Sequence, residues 1–245
     1  MRRLRLLLAT LMAFSLFGCA SYVPPGAKAD LNALAPPSIQ EGFAAKPTSP
    51  FPASVAAVRV QSASYDNHFL RQNGGVAGGG KYRIVLVREV EQDSHFEAVG
   101  KLPQVAGVVT LNRLLVPDVL NGDKEIREAA SRLQADLLFL YTFSTEFFDL
   151  NESRALSTVT LGFASTKKIS VVTTASALLM DTRSGYIYSA YESTAKSDAK
   201  SNVWDSAESA DNLRRANEKE AFDKLVGEVT KSWQQMLDRH RPRPG

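Results

Sequence analysis

One cysteine and three histidines bound the chemistry open to this 245-residue chain. The histidines are His68, His95 and His240, and none is spaced as HxH or HxxxH, so a histidine-based metal site is not expected. Cys19 alone allows no internal disulfide and no cysteine-based zinc or iron–sulfur centre. No GxSxG occurs to place a serine nucleophile beside a histidine base. Gly75–Lys81 (GVAGGGK) matches the GxxxxGK of a phosphate-binding loop. Tyr82 then stands where magnesium needs Ser or Thr, and residues 68–73 make a poor preceding strand, so a flexible surface loop is the better reading. Glu146, Asp149 and Glu152 follow an apolar run and could face a cleft as acid and base; the plainer reading is solvated loop charges. No catalytic residue, metal or cofactor is assigned.

Cys19 is the exception. Arg2, Arg3 and Arg5 precede an apolar run from Leu6 to Phe17, which is too short to span a bilayer and reads as a secretory signal. Leu16-Phe17-Gly18-Cys19 resembles the lipobox of bacterial lipoproteins, although Phe17 is bulkier than is usual there. The resemblance implies cleavage after Gly18, a diacylglycerol thioether on Cys19 and acylation of the new amine, an anchor held by some 0.8 kcal/mol per buried methylene. Ala20 follows instead of the Asp that tends to retain lipoproteins in the inner membrane. The implied location is the outer membrane, on its periplasmic face.

Lys and Arg total 29 against 26 Asp and Glu, but the three signal arginines make up the excess, leaving 26 of each over residues 19–245. A neutral mature chain gives no reason to expect a nucleic-acid partner. Seven of the eleven prolines fall in residues 21–52, which have little apolar periodicity. Residues 19–52 therefore read as a lipidated cysteine and a mobile tether, 53–238 as a globular periplasmic domain and 239–245 as a basic tail.

Within the domain, Ser54–Val60 and Val105–Leu111 read as strands, while Tyr82–Val90 is ambiguous. Asn121–Ala135 reads as a helix capped by Asp123. Asp136–Phe148 follows as a central strand, apolar on both faces at its start. Ile169–Asp181 and Tyr186–Thr194 form a hairpin in which Asp181 accepts backbone bonds within the turn and Gly185 takes positive φ. Water at an exposed turn should make Asp181 the less costly of the two to replace. Ala207–Asp238 is a long helix whose apolar stripe packs on the sheet. The expected fold is α/β: a mixed central sheet of about five or six strands with packed helices and a long C-terminal helix.

Two segments, Leu133–Phe139 (LQADLLF) and Leu178–Tyr186 (LLMDTRSGY), resemble the fold shared by the curli secretion lipoprotein, the lipoprotein activators of penicillin-binding proteins and the amino-terminal domain of the Tol–Pal propeller protein. Residues 121–233 look closer still to uncharacterised bacterial lipoproteins, among them the rhombotarget kind. The resemblance implies a fold and no activity. The expected function is a non-catalytic outer-membrane lipoprotein that binds or assists an envelope protein partner. A structural subunit of an envelope assembly, or a periplasmic hydrolase, are the alternatives.

Overall fold

A computed structural model of the chain describes residues 25–26, 28–35, 38–150, 168–200 and 207–240. The sheet is built on β1 (Ala53–Ser62), with β5 (Leu137–Leu150) parallel to it and Val55–Val58 facing Leu137–Leu140. Beyond β5, the long strands β6 (Lys168–Asp181) and β7 (Ile187–Lys200) continue the sheet antiparallel. On the other side of β1, two strands share one edge. β4 (Val105–Thr110) runs parallel along Ala53–Ala57, and β3 (Tyr82–Val85) runs antiparallel along Arg59–Ser62 with β2 (Val76–Ala77) outside it. The sheet is thus mixed and seven-stranded, in the α/β class that the hydrophobic patterning predicts.

Alternation along β5 explains the layers. Leu137, Phe139, Tyr141 and Phe143 are buried on one face, where α5 (Ala207–His240) sets Phe222, Leu225, Val229 and Trp233 against them. Leu138 and Leu140 are buried on the other, against Ile126, Ala129 and Ala130 of α4 (Asp123–Arg132). Each such side chain contributes roughly 1.5–3 kcal/mol by leaving water, so a strand apolar on both sides must lie between two helix layers. Short helices α1 (Ile39–Ala44), α2 (His68–Asn73) and α3 (Asp93–Gly100) complete the fold.

Several local expectations change. The cap of α4 is Gly122, whose N–H donates to the Glu125 carboxylate at 3.1 Å; Asp123 lies inside the helix and pairs with Arg127 at 2.7 Å. The ambiguous segment is a strand only over Tyr82–Val85, and Glu89 beyond it turns its side chain inward to Arg214. The glycine-rich segment is tied down: the Leu120 N–H donates to the Gly79 carbonyl at 2.7 Å, and Lys81 and Tyr82 donate to the Leu120 carbonyl. Glu146 and Asp149 lie on β5 and not in a loop, and Glu152 lies outside the described residues.

The largest correction concerns residues 19–52. Among the described residues, this segment is docked at Pro25–Leu34 and again at Thr48 and Ser49, and is not a free tether there. Pro25 is buried, and a Cβ on Gly26 would sit 2.4 Å from the Ser64 carbonyl oxygen. Lys28 pairs with Gln61, and the Ala29 N–H donates to Thr142 Oγ1 at 3.0 Å. Leu31 and Leu34, on a short 3-10 helix capped by Asp30, join the core on the α4 face. Composition misleads here because few apolar residues are needed: α4 has ten residues and leaves sheet uncovered that Ala29, Leu31 and Leu34 fill.

The same segment ends on Asp181. The carboxylate accepts from the Thr48 N–H (2.7 Å), the Ser49 N–H (2.7 Å) and the Thr48 hydroxyl (3.0 Å). It also accepts from its own turn, through the N–H groups of Arg183 (2.9 Å) and Ser184 (3.0 Å), and from the Tyr188 hydroxyl (3.2 Å). Gly185 has φ +72°, and its N–H donates to the Asp181 carbonyl. Asp181 is itself fully buried and not at an exposed turn, so its carboxylate depends on these donors and not on water. Burial opposes its charge, but the donors from Thr48 and Ser184 prevail and hold its pKa at about 2.

The order of the two turn substitutions therefore reverses. Asp181→Ala leaves four partly buried N–H donors without their shared acceptor and is expected to cost about 3 kcal/mol in urea melts. Gly185→Val, strained in φ but not crowded, is expected to cost roughly 1–2 kcal/mol. Because the Asp181 pKa falls on folding, its contribution is complete above the ordinary carboxylate value of 3.8 and is lost as pH drops through about 2. The acid limb of a pH–stability curve between pH 4 and pH 2 should therefore flatten in Asp181→Ala.

Candidate functional site

Gly18 and Cys19, the residues assigned to cleavage and lipidation, lie outside the described residues. Asp181 and Gly185 form the buried joint described above. The histidines are engaged. His95 accepts the Gln92 N–H at Nδ1 (2.9 Å) and faces Asp223 at Nε2 (2.5 Å), so its base nitrogen is occupied by backbone. His240 uses Nδ1 on the Met236 carbonyl and Nε2 on the Tyr186 hydroxyl, and His68 contacts Gln72. Among the described residues no group of three His, Cys, Asp or Glu could hold a metal ion.

One constellation that sequence reading missed lies under the first half of α5. Arg214 is fully buried and donates to three carboxylates: Asp211 from Nε (2.9 Å), Glu218 from Nη1 (2.6 Å) and Glu89 from Nη2 (2.6 Å). Arg59, buried in the middle of β1, donates to the Tyr65 hydroxyl at 2.8 Å and lies 3.5–3.6 Å from Glu218, Glu89 and Glu91. The rings of Phe143 and Tyr65 flank its guanidinium. Asn67 bridges Tyr65 and Glu89, Tyr141 donates to Glu91 at 3.0 Å, and Thr145 donates to Glu218. With Arg215 at the rim, three guanidiniums face four carboxylates. Burial disfavours the charge on Glu89, but Arg59 and Arg214 outweigh it and lower its pKa. Burial raises the pKa values of Tyr65 and Tyr141, so both stay protonated, Tyr65 accepting from Arg59 and Asn67 and Tyr141 donating to Glu91. The signals were there in part: an arginine inside the apolar run Ser54–Val60, and Asp211, Arg214 and Glu218 on one helix face. Their meeting across 125 to 159 residues was not visible.

The arrangement is closed. A cavity of about 40 Å3 beside Arg59 and Tyr141, at the point where β3 and β4 part, is large enough for water but not for a substrate. The cluster therefore orders α5 on the sheet.

A second feature is open. β7 is the last strand of the sheet among the described residues. Higher on this strand Lys224 Nζ covers the Thr194 carbonyl at 3.2 Å. Lower down, a groove of about 400 Å3 separates β7 from the second half of α5. Ser189, Ala190 and Tyr191 all line it, so it follows the strand backbone and not one face. Lys231, Met236 and Arg239 form the opposite wall, and the Tyr191 hydroxyl, although buried, has no hydrogen-bond partner among the described residues. An edge strand beside a groove is the geometry in which an added strand takes backbone bonds from one wall and places alternate side chains in the other.

Compared with known proteins, the chain matches no family model and no curated relative. No described helix is long and apolar enough to cross a membrane.

The cluster gives a direct expectation. Arg214→Met takes from Glu89, Asp211 and Glu218 the shortest ion pair each makes and should cost about 3–5 kcal/mol in urea. Lys101→Ala, which removes an exposed pair with Glu97, should change stability by less than about 0.5 kcal/mol.

Proposed function

We propose that this chain is a non-catalytic outer-membrane lipoprotein, anchored through acylated Cys19, whose body binds an envelope protein partner. The observation that carries the reading is the groove along the β7 edge, at Ser189–Tyr191. It offers backbone groups to an extended segment, and to an acidic side chain on it Lys231 and Arg239, which form no ion pair among the described residues. Support for binding over hydrolysis comes from the histidines, whose nitrogens are engaged in structural bonds. The anchor reading rests on the position of the sole cysteine.

Two experiments test the halves separately. A clickable palmitate analogue fed to cells should label the wild type and not Cys19→Ser, because no other residue supplies a thiol; equal labelling of both would remove the anchor. A photo-crosslinking amino acid at Ala190 should trap a discrete protein adduct in living cells. The same group at Glu128, exposed on the far side, should not. Adducts from Glu128 alone would place the partner elsewhere and overturn the groove assignment.

A further inference from the structure

We infer that the β7 edge holds a short extended peptide in one register, in which a single carboxylate side chain, level with Tyr191, enters the groove and meets Lys231 and Arg239. The inference rests on the groove assignment made above and deepens it, naming the backbone groups that hold the peptide and the side chain that is read.

The turn sets the register. The Asp181 N–H donates to the Tyr186 carbonyl and the Asp181 carbonyl accepts from Gly185, so Asp181 points both backbone groups toward β7. Along an antiparallel strand this direction alternates, so Leu179, Ala177 and Ala175 also bond toward β7, where their partners are Ser189, Tyr191 and Ser193. The residues between those partners, Ala190, Glu192 and Thr194, therefore point their N–H and C=O groups out of the sheet. Lys224 Nζ, 3.2 Å from the Thr194 carbonyl, agrees with this. That ammonium closes the edge above Glu192, and the register shift that leaves Tyr188 without a partner on β6 closes it below Ala190. Two exposed residues, Ala190 and Glu192, remain to bond an added strand.

Side chains alternate in the same way. Tyr191 lies on the face that α5 covers, as does its cross-strand partner Ala177. A peptide residue level with Tyr191 sends its side chain to that face, whichever way the peptide runs. There it enters the groove of about 400 Å3 and finds the unpartnered Tyr191 hydroxyl on one side and α5 on the other. Helix α5 descends as β7 rises, since Lys224 reaches Thr194 and His240 reaches Tyr186. Along that wall Glu228 stands nearest the Lys224 end, with Lys231 and then Arg239 below it. Two cations and a hydroxyl donor suit a carboxylate, and a basic or apolar side chain would answer none of them.

Occupants from this chain fit poorly. A second copy paired edge to edge would also bond through Ala190 and Glu192. It would turn Ser189, Tyr191 and Ser193 to the α5 face, and none of these is charged. The residues after His240 read RPRPG, which adds two more cations and two prolines that cannot donate to the edge. The occupant is an acidic segment of another protein.

The test pans the full-length protein against displayed random peptides of about nine residues. Enriched peptides should share one Asp or Glu. Their affinity should fall about tenfold or more in the double variant Lys231→Glu, Arg239→Glu. Both side chains are exposed, so its urea melt should match the wild type. The library panned on that variant should carry Lys or Arg in place of the acid. N-methylation along a wild-type binder should abolish binding at alternate positions and spare those between. Binders without an acid, acidic binders indifferent to the charge reversal, or methylation effects without a period of two would overturn the register. If those binders are still trapped by the photo-crosslinker at Ala190, the groove assignment stands. If no peptide is trapped there, the groove assignment falls and this inference with it.

Discussion

The carboxylate of Asp181 holds together two parts of the chain that are 133 residues apart, and the rest of the fold depends on that joint. One side is the turn between β6 and β7; the other is the strap that has crossed the α4 face and is about to enter the sheet as β1. Four residues beyond Ser49, Ala53 begins β1, where the Ser54 N–H donates to Asp136 at 2.9 Å and the Asp136 N–H returns to the Ser54 carbonyl. The Ser49 hydroxyl donates to the Asp136 carbonyl, and Arg183 pairs with its carboxylate at 2.8 Å. Two aspartates, each at one end of a core strand, thus set β1 against β5. A slip of one residue would exchange the side chains of β1 between the two core layers and carry Arg59 away from its carboxylates.

The far end of the sheet solves a different problem. β5 and β6 outrun β1 there, and the space beneath α5 is filled by charge instead of by apolar side chains. Buried pairs of this kind give back in desolvation about what they gain in attraction. Their effect is directional: Arg214 fits only where Asp211, Glu218 and Glu89 converge, and this fixes the rotation of α5 about its axis. With α5 fixed, its second half stands off β7 far enough to leave the groove at Ser189–Tyr191 open. The closed cluster and the open groove are two consequences of one helix placement.

How much of this was legible depends on how local each interaction is. Strands and helices with clear periodicity, such as Leu137–Phe143 or the Phe222–Trp233 stripe, could be read because each residue reports its own burial. The hairpin turn was legible because Asp181, Ser184 and Gly185 interact within five residues. The status of Asp181 as a buried hub was not, since its decisive donors lie at Thr48 and Ser49 in a segment whose prolines mark it as unstructured. Docking of that segment turned on three small or branched residues, too few for any composition measure. The ionic cluster was hidden for the same reason: Arg59 looks like an intruder in an apolar strand until Glu218, 159 residues away, is seen above it.

A docked strap is the claim on which the account of the fold turns. Native-state hydrogen exchange of the full-length protein tests it most directly. The account predicts that the amides of Ala29, Thr48 and Ser49, each bonded to a buried acceptor, exchange slowly and open together with the sheet. Exchange of these amides at free-peptide rates, while β5 remains protected, would contradict it and return residues 25–52 to the role of a loose tether.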